Sequence, residues 1–142
     1  FMISTNPGEP PKPLSKIASG GEMSRIMLAI KSVLAGSDTV GTLIFDEIDS
    51  GISGRAAVKV GEKLKSTAQS RQVICVTHLA QIAAKADNHL LILKNTDTGR
   101  AVTSITQLDF DGRCNELARI IGGAVTQSAL QTAREMLQNN NA

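Results

Sequence analysis

The sequence predicts an α/β domain in which parallel strands are covered by helices. Two short apolar runs, residues 43–46 and 73–77, lie on either side of a helical pattern at residues 54–68. A strand, a helix and a second strand in this order form a βαβ unit with parallel strands. The composition agrees, because 42% of the 142 residues are apolar and only 2% are aromatic, so aliphatic side chains must build the core. We expect one domain over residues 1–142 with a mainly parallel sheet.

The N-terminal part, residues 1–18, predicts a short strand at 1–5 and a loop at 6–14 that holds all four prolines. A helix is expected over residues 19–35, because Ser19 is a suitable N-cap and Glu22 can complete a capping box. Gly36 is expected to end it. Apolar residues at three- and four-residue spacing predict one buried stripe on this helix, made of Met23, Ile26, Met27, Ile30, Val33 and Leu34.

The central part, residues 42–94, contains the βαβ unit. Because parallel strands place their carboxyl ends at the same edge of a sheet, we expect Asp46, Glu47 and His78 to emerge side by side. The crossover helix has Ser53 as its predicted N-cap and three inward-facing residues, Ala57, Val60 and Leu64. The remaining pattern predicts a short helix at 79–86, strands at 90–93 and 101–108 joined by a turn at 97–99, and helices at 114–121 and 127–137, the last three elements filling the C-terminal part 101–142.

Charge and cysteine content bear on the class of protein. The net charge of +2 is too small to indicate a nucleic-acid or membrane surface. Cys75 lies in an apolar run and Cys114 in a polar segment, which favours neither a disulfide framework nor a metal site and suits a reducing cytoplasm. No apolar stretch approaches the ~20 residues of a membrane span. Since Phe1 precedes Met2, we expect the chain to be a piece of a longer protein.

Two adjacent carboxylates, Asp46 and Glu47, end the first apolar strand, as in the Walker B half of a nucleotide site. A carboxylate at a strand end can hold Mg²⁺ directly or through water, which suits Asp46. The next residue, Glu47, can orient or deprotonate an attacking water. The alternative is a strand that simply stops at a polar turn. His78 is likewise either a structural histidine or a contact to the γ-phosphate of a nucleotide.

The helix start Ser19, Gly20 and Gly21 is a second candidate, because bare backbone N–H groups at a helix N-terminus favour an anion. The alternative is an ordinary N-cap, and Glu22 would oppose a phosphate unless it points into the capping box. The phosphate-binding pattern G-x-x-x-x-G-K-[ST] does not occur in the sequence. The segment 36–41 has the glycine spacing but is followed by Thr42 and Leu43.

Taken in order, these motifs resemble the second half of an ABC-type ATPase head. Residues 17–25 (IASGGEMSR), 45–55 (FDEIDSGISGR) and 75–83 (CVTHLAQIA) are similar to the RecN family, bacterial DNA-repair relatives of the structural-maintenance-of-chromosomes (SMC) proteins. The resemblance covers nearly the whole chain. It implies the C-terminal lobe of a P-loop ATPase head whose P-loop lobe is absent here.

The resemblance also implies roles for residues. Asp46 would hold Mg²⁺ through water, with Glu47 and His78 catalytic. The signature residues Ser19, Gly20, Gly21 and Glu22 would contact, in trans, the γ-phosphate of ATP held by a second head. The D-loop residues Asp49, Ser50 and Gly51 would lie at the dimer interface. Both ATP and Mg²⁺ would need the missing lobe, so we expect residues 1–142 alone to be inactive.

The partners implied by the resemblance are the P-loop lobe and coiled coil of the same protein, a second head in a homodimer, and DNA through the intact protein, with no membrane. The implied activity is Mg²⁺-dependent ATP hydrolysis coupled to head engagement in recombinational repair of double-strand breaks within the SOS response. The implied location is the bacterial cytoplasm, at the nucleoid. Two alternatives stay open: a fragment of an ABC transporter's nucleotide-binding domain, and a non-catalytic dimerisation or interaction domain.

Overall fold

The computed structural model describes residues 2–4, 7–16, 19–34, 39–97 and 100–140 of the chain. Its strands and helices are β1 (Met2–Ile3), β2 (Lys12–Pro13), α1 (Gly20–Val33), β3 (Thr42–Phe45), α2 (Gly54–Ala68), β4 (Gln72–Cys75), α3 (Ala80–Ala83), β5 (Leu90–Asp97), β6 (Arg100–Gln107), α4 (Phe110–Gly122) and α5 (Gln127–Gln138). A 3₁₀ turn, Leu14–Lys16, lies between β2 and α1. The architecture is the predicted mixture of helices and strands.

The predicted βαβ unit is confirmed. Strands β3 and β4 pair in parallel, with Leu43 opposite Val73 and Phe45 opposite Cys75, and α2 connects them. The backbone N–H of Val76 donates to the carbonyl of Phe45 at 2.9 Å, which extends the pairing to the end of the sheet. The chain therefore leaves both strands at the same edge, where the predicted site residues follow.

A mainly parallel sheet is only partly found. Among the strands in the described residues, β3 and β4 are parallel, whereas β1 with β2 and β5 with β6 are antiparallel. Strands β5 and β6 follow one another after a very short connection, which permits only an antiparallel hairpin. Thr98 and Gly99 of the predicted turn lie outside the described residues.

The sequence predicted parallel strands covered by helices, but the strands of the βαβ unit are buried on one face only. Leu43 and Phe45 are buried, but Ile44 between them is 69% exposed and Ile74 on β4 is 45% exposed. Successive side chains of a strand point to opposite faces, and α1 and α2 pack against one face only. An apolar sheet face is therefore left uncovered by the described part of the chain.

The predicted buried stripe of α1 is wrong. The helix buries Leu28, whereas Met27, Val33 and Leu34 are exposed, Val33 by 84%. Leu28 belongs to the buried cluster that α1 forms with β3 and α2, whereas no residue of the predicted stripe is fully buried. Gly36, the expected end of this helix, lies outside the described residues.

Two clusters of buried side chains form the interior. The first joins α1, β3, α2 and α3 and consists of Leu28, Leu43, Phe45, Ile48, Leu64 and Ile82. The second joins α3, α4 and α5 and consists of Ala80, Ala83, Ala84, Cys114, Leu117, Ala118, Ala129, Ala133 and Leu137. Helix α3 contributes to both clusters and so links the strand ends to the C-terminal helices.

Several element boundaries differ from the prediction. The expected loop 6–14 contains β2, whose Pro13 lies opposite Met2 in a two-stranded sheet, where the missing N–H is tolerated. Helix α4 begins at Phe110 rather than at Cys114, because Asp109 caps it by accepting from the backbone N–H of Gly112 at 2.8 Å. Cys114 is consequently buried, not in a polar segment.

The other helices agree more closely with the prediction. Helix α2 has the predicted bounds, although the Ser53 side chain makes no capping hydrogen bond. Helix α5 agrees within one residue, and α3 is shorter than expected. Within the described residues, no helix is both long enough and apolar enough to cross a membrane.

Candidate functional site

The turn after β3 places the two predicted carboxylates at the edge of the sheet. Asp46 and Glu47 are exposed, and Asp46 Oδ1 accepts a hydrogen bond from the backbone N–H of Glu47 at 2.9 Å. Glu47 has φ = 56°, the one positive φ of a non-glycine residue among the described residues. A strained backbone of this kind costs about 1–3 kcal/mol and is concentrated at functional sites. Surrounding contacts must therefore hold the turn in this shape.

Two side chains of α1 supply such contacts. Ser24 Oγ donates to the carbonyl oxygen of Asp46 at 2.9 Å. Arg25 Nη1 donates to the carbonyl oxygens of Ile48 at 3.0 Å and Ser50 at 2.7 Å. The second turn of α1 is thereby tied to the backbone that carries the carboxylates.

Sequence reasoning did not assign a role to Ser24 or Arg25. The signal was available, because both lie one turn after the glycine pair of the helix start and so share its face. Since the structure places the start of α1 beside the strand end, a polar pair at that position of the helix is a candidate for bracing the loop.

The two glycines at the start of α1 lie directly against the same turn. A Cβ added to Gly20 would stand 2.7 Å from Glu47 Oε2, and one added to Gly21 would stand 2.8 Å from the carbonyl oxygen of Glu47. Both distances are too short for a real side chain. Packing against the Glu47 turn therefore requires glycine at these two positions, in addition to the anion binding that the sequence suggested.

The helix start itself has the first half of the predicted capping box. Ser19 Oγ accepts from the backbone N–H of Glu22 at 3.2 Å. Ser19 and Gly20 are exposed, and the first N–H groups of an α-helix have no partner within the helix. This end of α1 is consequently open to an anion from outside the chain.

A buried carboxylate connects the two strand ends. Asp49 is 3% exposed, and its Oδ2 accepts from Thr77 Oγ1 at 2.5 Å and from the backbone N–H of His78 at 2.8 Å. His78 Nδ1 lies 3.0 Å from the same oxygen, while the imidazole is 76% exposed. Thr77 Oγ1 in turn accepts from the N–H of Leu79 at 3.1 Å. The imidazole of His78 is thus paired with Asp49 of the D-loop.

The hydrogen bonds to Asp49 determine its charge. Burial alone would raise the pKa of the Asp49 carboxyl, but the donors Thr77 and His78 outweigh burial and the pKa lies below its ordinary value. Nearby Cys75 shows the opposite effect: burial, followed by the negative charges of Asp49 and Asp46, raises the pKa of its thiol to about 12. The end of the sheet is therefore a region of negative charge, which suits a cation and keeps Cys75 protonated.

Mg²⁺ and a nucleotide fit this chemistry only in part. Mg²⁺ is commonly bound by one or two carboxylates together with waters and substrate phosphates, and Asp46 supplies an exposed carboxylate at the strand end. Among the described residues, no group of three or more His, Cys, Asp or Glu side chains could hold a metal by itself. The remaining ligands of such an ion must come from the phosphates, from water or from another part of a larger protein.

The predicted site residues fall into two connected groups. The signature residues Ser19 to Glu22 lie beside the turn of Asp46 and Glu47 through their glycines. The D-loop lies between them and the second strand, with Ser50 bound by Arg25, Gly51 in a left-handed conformation (φ = 74°) and Asp49 bound to His78. The sequence placed Asp46, Glu47 and His78 at one edge of the sheet, whereas the positions of the helix start and of the D-loop beside them come from the structure.

Several named bacterial proteins are similar in sequence to this chain. The chain is 48% identical over 139 residues to "DNA repair protein RecN" of Bacillus subtilis strain 168, and 50% identical over 137 residues to the protein of that name from Deinococcus radiodurans. The chain is a RecN-type sequence. These alignments cover 97% and 96% of the chain, and the Streptomyces coelicolor RecN aligns with all of it at 42% identity. The chain spans only about a quarter of the length of these relatives, 24% in the first two cases.

Solved structures show the same fold for the RecN-type chain. A chain described under ATP-driven dimerization and DNA stimulated activation of SMC ATPases has a TM-score of 0.53 at 21% identity, covering 78% of this chain and 73% of that one. The SMC head domain from Thermotoga maritima has a TM-score of 0.50 at 26% identity, covering 72% and 37%. No protein-family model matches the sequence. The fold is that of part of an SMC ATPase head, which confirms the expected fold class.

Proposed function

We propose that the chain is the C-terminal lobe of a RecN-like ATPase head. In the intact protein this lobe takes part in ATP binding and hydrolysis, coupled to head engagement during recombinational repair of DNA double-strand breaks. The observation that carries the proposal is the contact between the helix start at Gly20 and Gly21 and the Glu47 turn, at the edge where His78 also emerges. The RecN names of its relatives and the SMC head fold support it.

In this proposal the residues at the sheet edge have separate tasks. Glu47 holds the attacking water and takes its proton, since its carboxylate is exposed beside the helix start. Asp46 holds the Mg²⁺ of the nucleotide through water, and that ion supplies neutralisation of phosphate charge when bound. His78 meets the γ-phosphate from the neighbouring strand. The residues of this chain thereby position the water and the phosphate at one edge of the sheet.

The helix start and the D-loop serve a second head in this proposal. Ser19 and Gly20 are exposed at the N-terminus of α1, next to the buried Gly21, and this helix end can meet the γ-phosphate of ATP bound to a partner head. Because Arg25 binds the carbonyl of Ser50, this helix and the D-loop are joined within one lobe. A displacement at the signature of one head would thus be felt at its own Walker B turn. Homodimeric engagement and DNA contact are properties of the intact protein.

Exposed apolar side chains on the strands support the proposal that a second lobe packs against this one. Ile44 and Ile74 lie on the uncovered face of the βαβ sheet, and the hairpin exposes Leu90, Ile92 and Ile105 by more than half of their surface. Exposed apolar patches on a sheet face or a hairpin can mark an interface. We propose that the P-loop lobe of the same protein covers it, which explains why the sequence carries Walker B residues without a phosphate loop.

The proposal predicts a division of labour that can be measured. Purified residues 1–142 should show no ATP hydrolysis, and addition of the P-loop lobe should restore Mg²⁺-dependent hydrolysis. Omission of Mg²⁺ should abolish the restored activity. Robust hydrolysis by residues 1–142 alone would contradict the proposal. A complex of the two lobes that assembles but neither binds nor hydrolyses ATP would favour the non-catalytic interaction domain instead. The relatives described above are named as repair proteins, which disfavours the transporter alternative.

A further inference from the structure

The contact between Asp49 and His78 determines which nitrogen of the imidazole can meet a group from outside the lobe. We propose that Asp49 is a positioning residue that fixes the His78 ring with Nε2 turned out of the lobe. This inference rests on the proposed function for the identity of the reaction, but the orientation itself is a property of this chain. Asp49 would then act through His78, without touching the nucleotide.

The surroundings of Asp49 favour a fixed ring. Its Oδ2 is held by the backbone N–H of His78 at 2.8 Å and by Thr77 Oγ1 at 2.5 Å, so the carboxylate cannot rotate without losing both bonds. The carboxylate is 3% exposed, whereas the imidazole that it holds is 76% exposed. The buried Asp49 carboxylate, held by two hydrogen bonds, thus contacts the Nδ1 side of the His78 ring, while the rest of the ring faces solvent.

The protonation pattern follows from the chemistry of the pair. An ionised carboxylate only accepts hydrogen bonds, so the 3.0 Å approach of His78 Nδ1 to Oδ2 favours a proton on Nδ1. In the neutral ring Nε2 is then a bare acceptor, and in the protonated ring Nε2–H is the donor that points outward. In both states Nε2 is the atom presented to a water or a phosphate. Without Asp49, neither the ring orientation nor this tautomer is imposed.

The direct test is proton–nitrogen NMR of the imidazoles in the 142-residue chain, at a pH where they are neutral. The chain has two histidines, so the signals that remain in His89→Gln belong to His78. In the Asp49 variants His89 is retained, and its unchanged signals serve as an internal control of folding. We expect the Nδ1–H tautomer for His78, a shift toward Nε2–H in Asp49→Ala, and an intermediate result in Asp49→Asn, which keeps an oxygen but not the charge. Asp109 is another carboxylate that accepts a hydrogen bond from a backbone N–H, and Asp109→Asn should leave the tautomer of His78 unchanged.

A kinetic test in the full-length protein separates positioning from a purely structural role. Asp49→Ala should lower kcat by about 10- to 100-fold, the usual effect of removing a group that orients a functional imidazole, with KM for ATP nearly unchanged. The loss should not add to that of His78→Ala, because Asp49 acts through His78.

The outcomes are distinguishable from those of the proposed function. A neutral His78 in the Nε2–H form in the unaltered chain would overturn the positioning role, and this holds even if Asp49→Ala fails to fold. Fully additive losses in Asp49→Ala and His78→Ala would overturn it as well. An Nδ1–H tautomer together with full turnover by His78→Ala would support the positioning and contradict the proposed task of His78.

Discussion

Gly20 lies against the carboxylate of Glu47, so closely that a Cβ on Gly20 would stand 2.7 Å from Glu47 Oε2. Its neighbour Gly21 faces mainly backbone, because a Cβ on Gly21 would stand 2.8 and 2.9 Å from the carbonyl oxygens of Glu47 and Ser50 and 2.8 Å from Ser50 Cβ, which the backbone holds in place. The two adjacent glycines therefore leave room for different groups. Gly20 leaves room for the movable side chain of Glu47, and Gly21 leaves room for the fixed turn at residues 47–50. This difference separates activity from stability in a matched pair of variants.

Gly20→Ala should leave the free energy of unfolding within about 0.5 kcal/mol of the original, since Ala suits a helix better than Gly and the Glu47 side chain can swing aside. The displaced carboxylate should lower ATP turnover of the intact protein by up to about 100-fold, because a shift of roughly 1 Å in a reacting group can have that effect. Urea denaturation and steady-state turnover measure the two quantities. Unchanged turnover would contradict the contact.

Gly21→Ala should destabilise the chain by about 1–3 kcal/mol, the usual range for adding atoms to a packed site. The added methyl group meets the carbonyl oxygens of Glu47 and Ser50, and the backbone cannot move aside as a side chain can. The comparison with Gly20→Ala in the same urea titration is the control. Equal stability of the two variants would show that the glycine pair does not pack on the turn as described.

Arg25→Met should destabilise the chain by about 1–3 kcal/mol, because the carbonyls of Ile48 and Ser50 lose a charged donor. Arg25→Lys should recover only part of this loss, since an ammonium group lacks the planar fork of a guanidinium. Arg134→Met, a change of the same kind at an exposed position of α5, should have little effect. Chemical denaturation measures all three variants, and a fully stable Arg25→Met would contradict the bracing role.

Asp49 should make the stability of the chain acid-sensitive. Its folded-state pKa lies below the ordinary 3.8, so its contribution is fully present above pH 3.8 and is lost as the pH falls through the lower folded-state pKa. Glu116, whose pKa is lowered mainly by the hydrogen bond from Arg119, contributes in the same direction. Unfolding free energies of the original chain and Asp49→Asn should therefore converge as the pH falls below 3.8. Parallel curves would contradict the role assigned to Asp49.

His89 predicts a second pH dependence, in a higher range. Burial first, and then the charge of Arg113, lower the pKa of His89 below its ordinary 6.5. Its contribution is therefore present above pH 6.5 and is lost as the pH falls through the lower folded-state pKa. In His89→Gln the decline of stability in this range should disappear. If the decline is the same in both chains, the imidazole is not the group responsible.

The sequence was most informative where local patterns coincide with one packed face. The βαβ unit follows from residues 43–46 and 73–77, and parallel pairing then places Asp46 and His78 at one edge. The buried residues Ala57 and Leu64 of α2 follow from helical spacing, because that helix covers the sheet directly. Periodicity and strand order are sufficient for these features.

Other features depend on contacts between distant residues. The stripe on α1 failed because helical spacing shows that a face is apolar but not whether another element covers it, and Val33 is exposed as a result. The start of α4 was missed because the Asp109 cap outweighs the turn character of Asp111 and Gly112. The Arg25 bridge to the D-loop and the Asp49 link to His78 join residues separated by 23 to 29 positions. No local pattern specifies such pairs.

The central claim is that Glu47 at the end of β3 performs the hydrolytic step in a RecN-like head. The most direct measurement compares nucleotide binding and ATP turnover of the intact protein with and without Glu47→Gln, using the exposed Glu62→Gln on α2 as the matched control. We predict that Glu47→Gln retains ATP binding and loses turnover, while Glu62→Gln keeps both. Full turnover in Glu47→Gln would contradict the assignment of Glu47 as the hydrolytic residue.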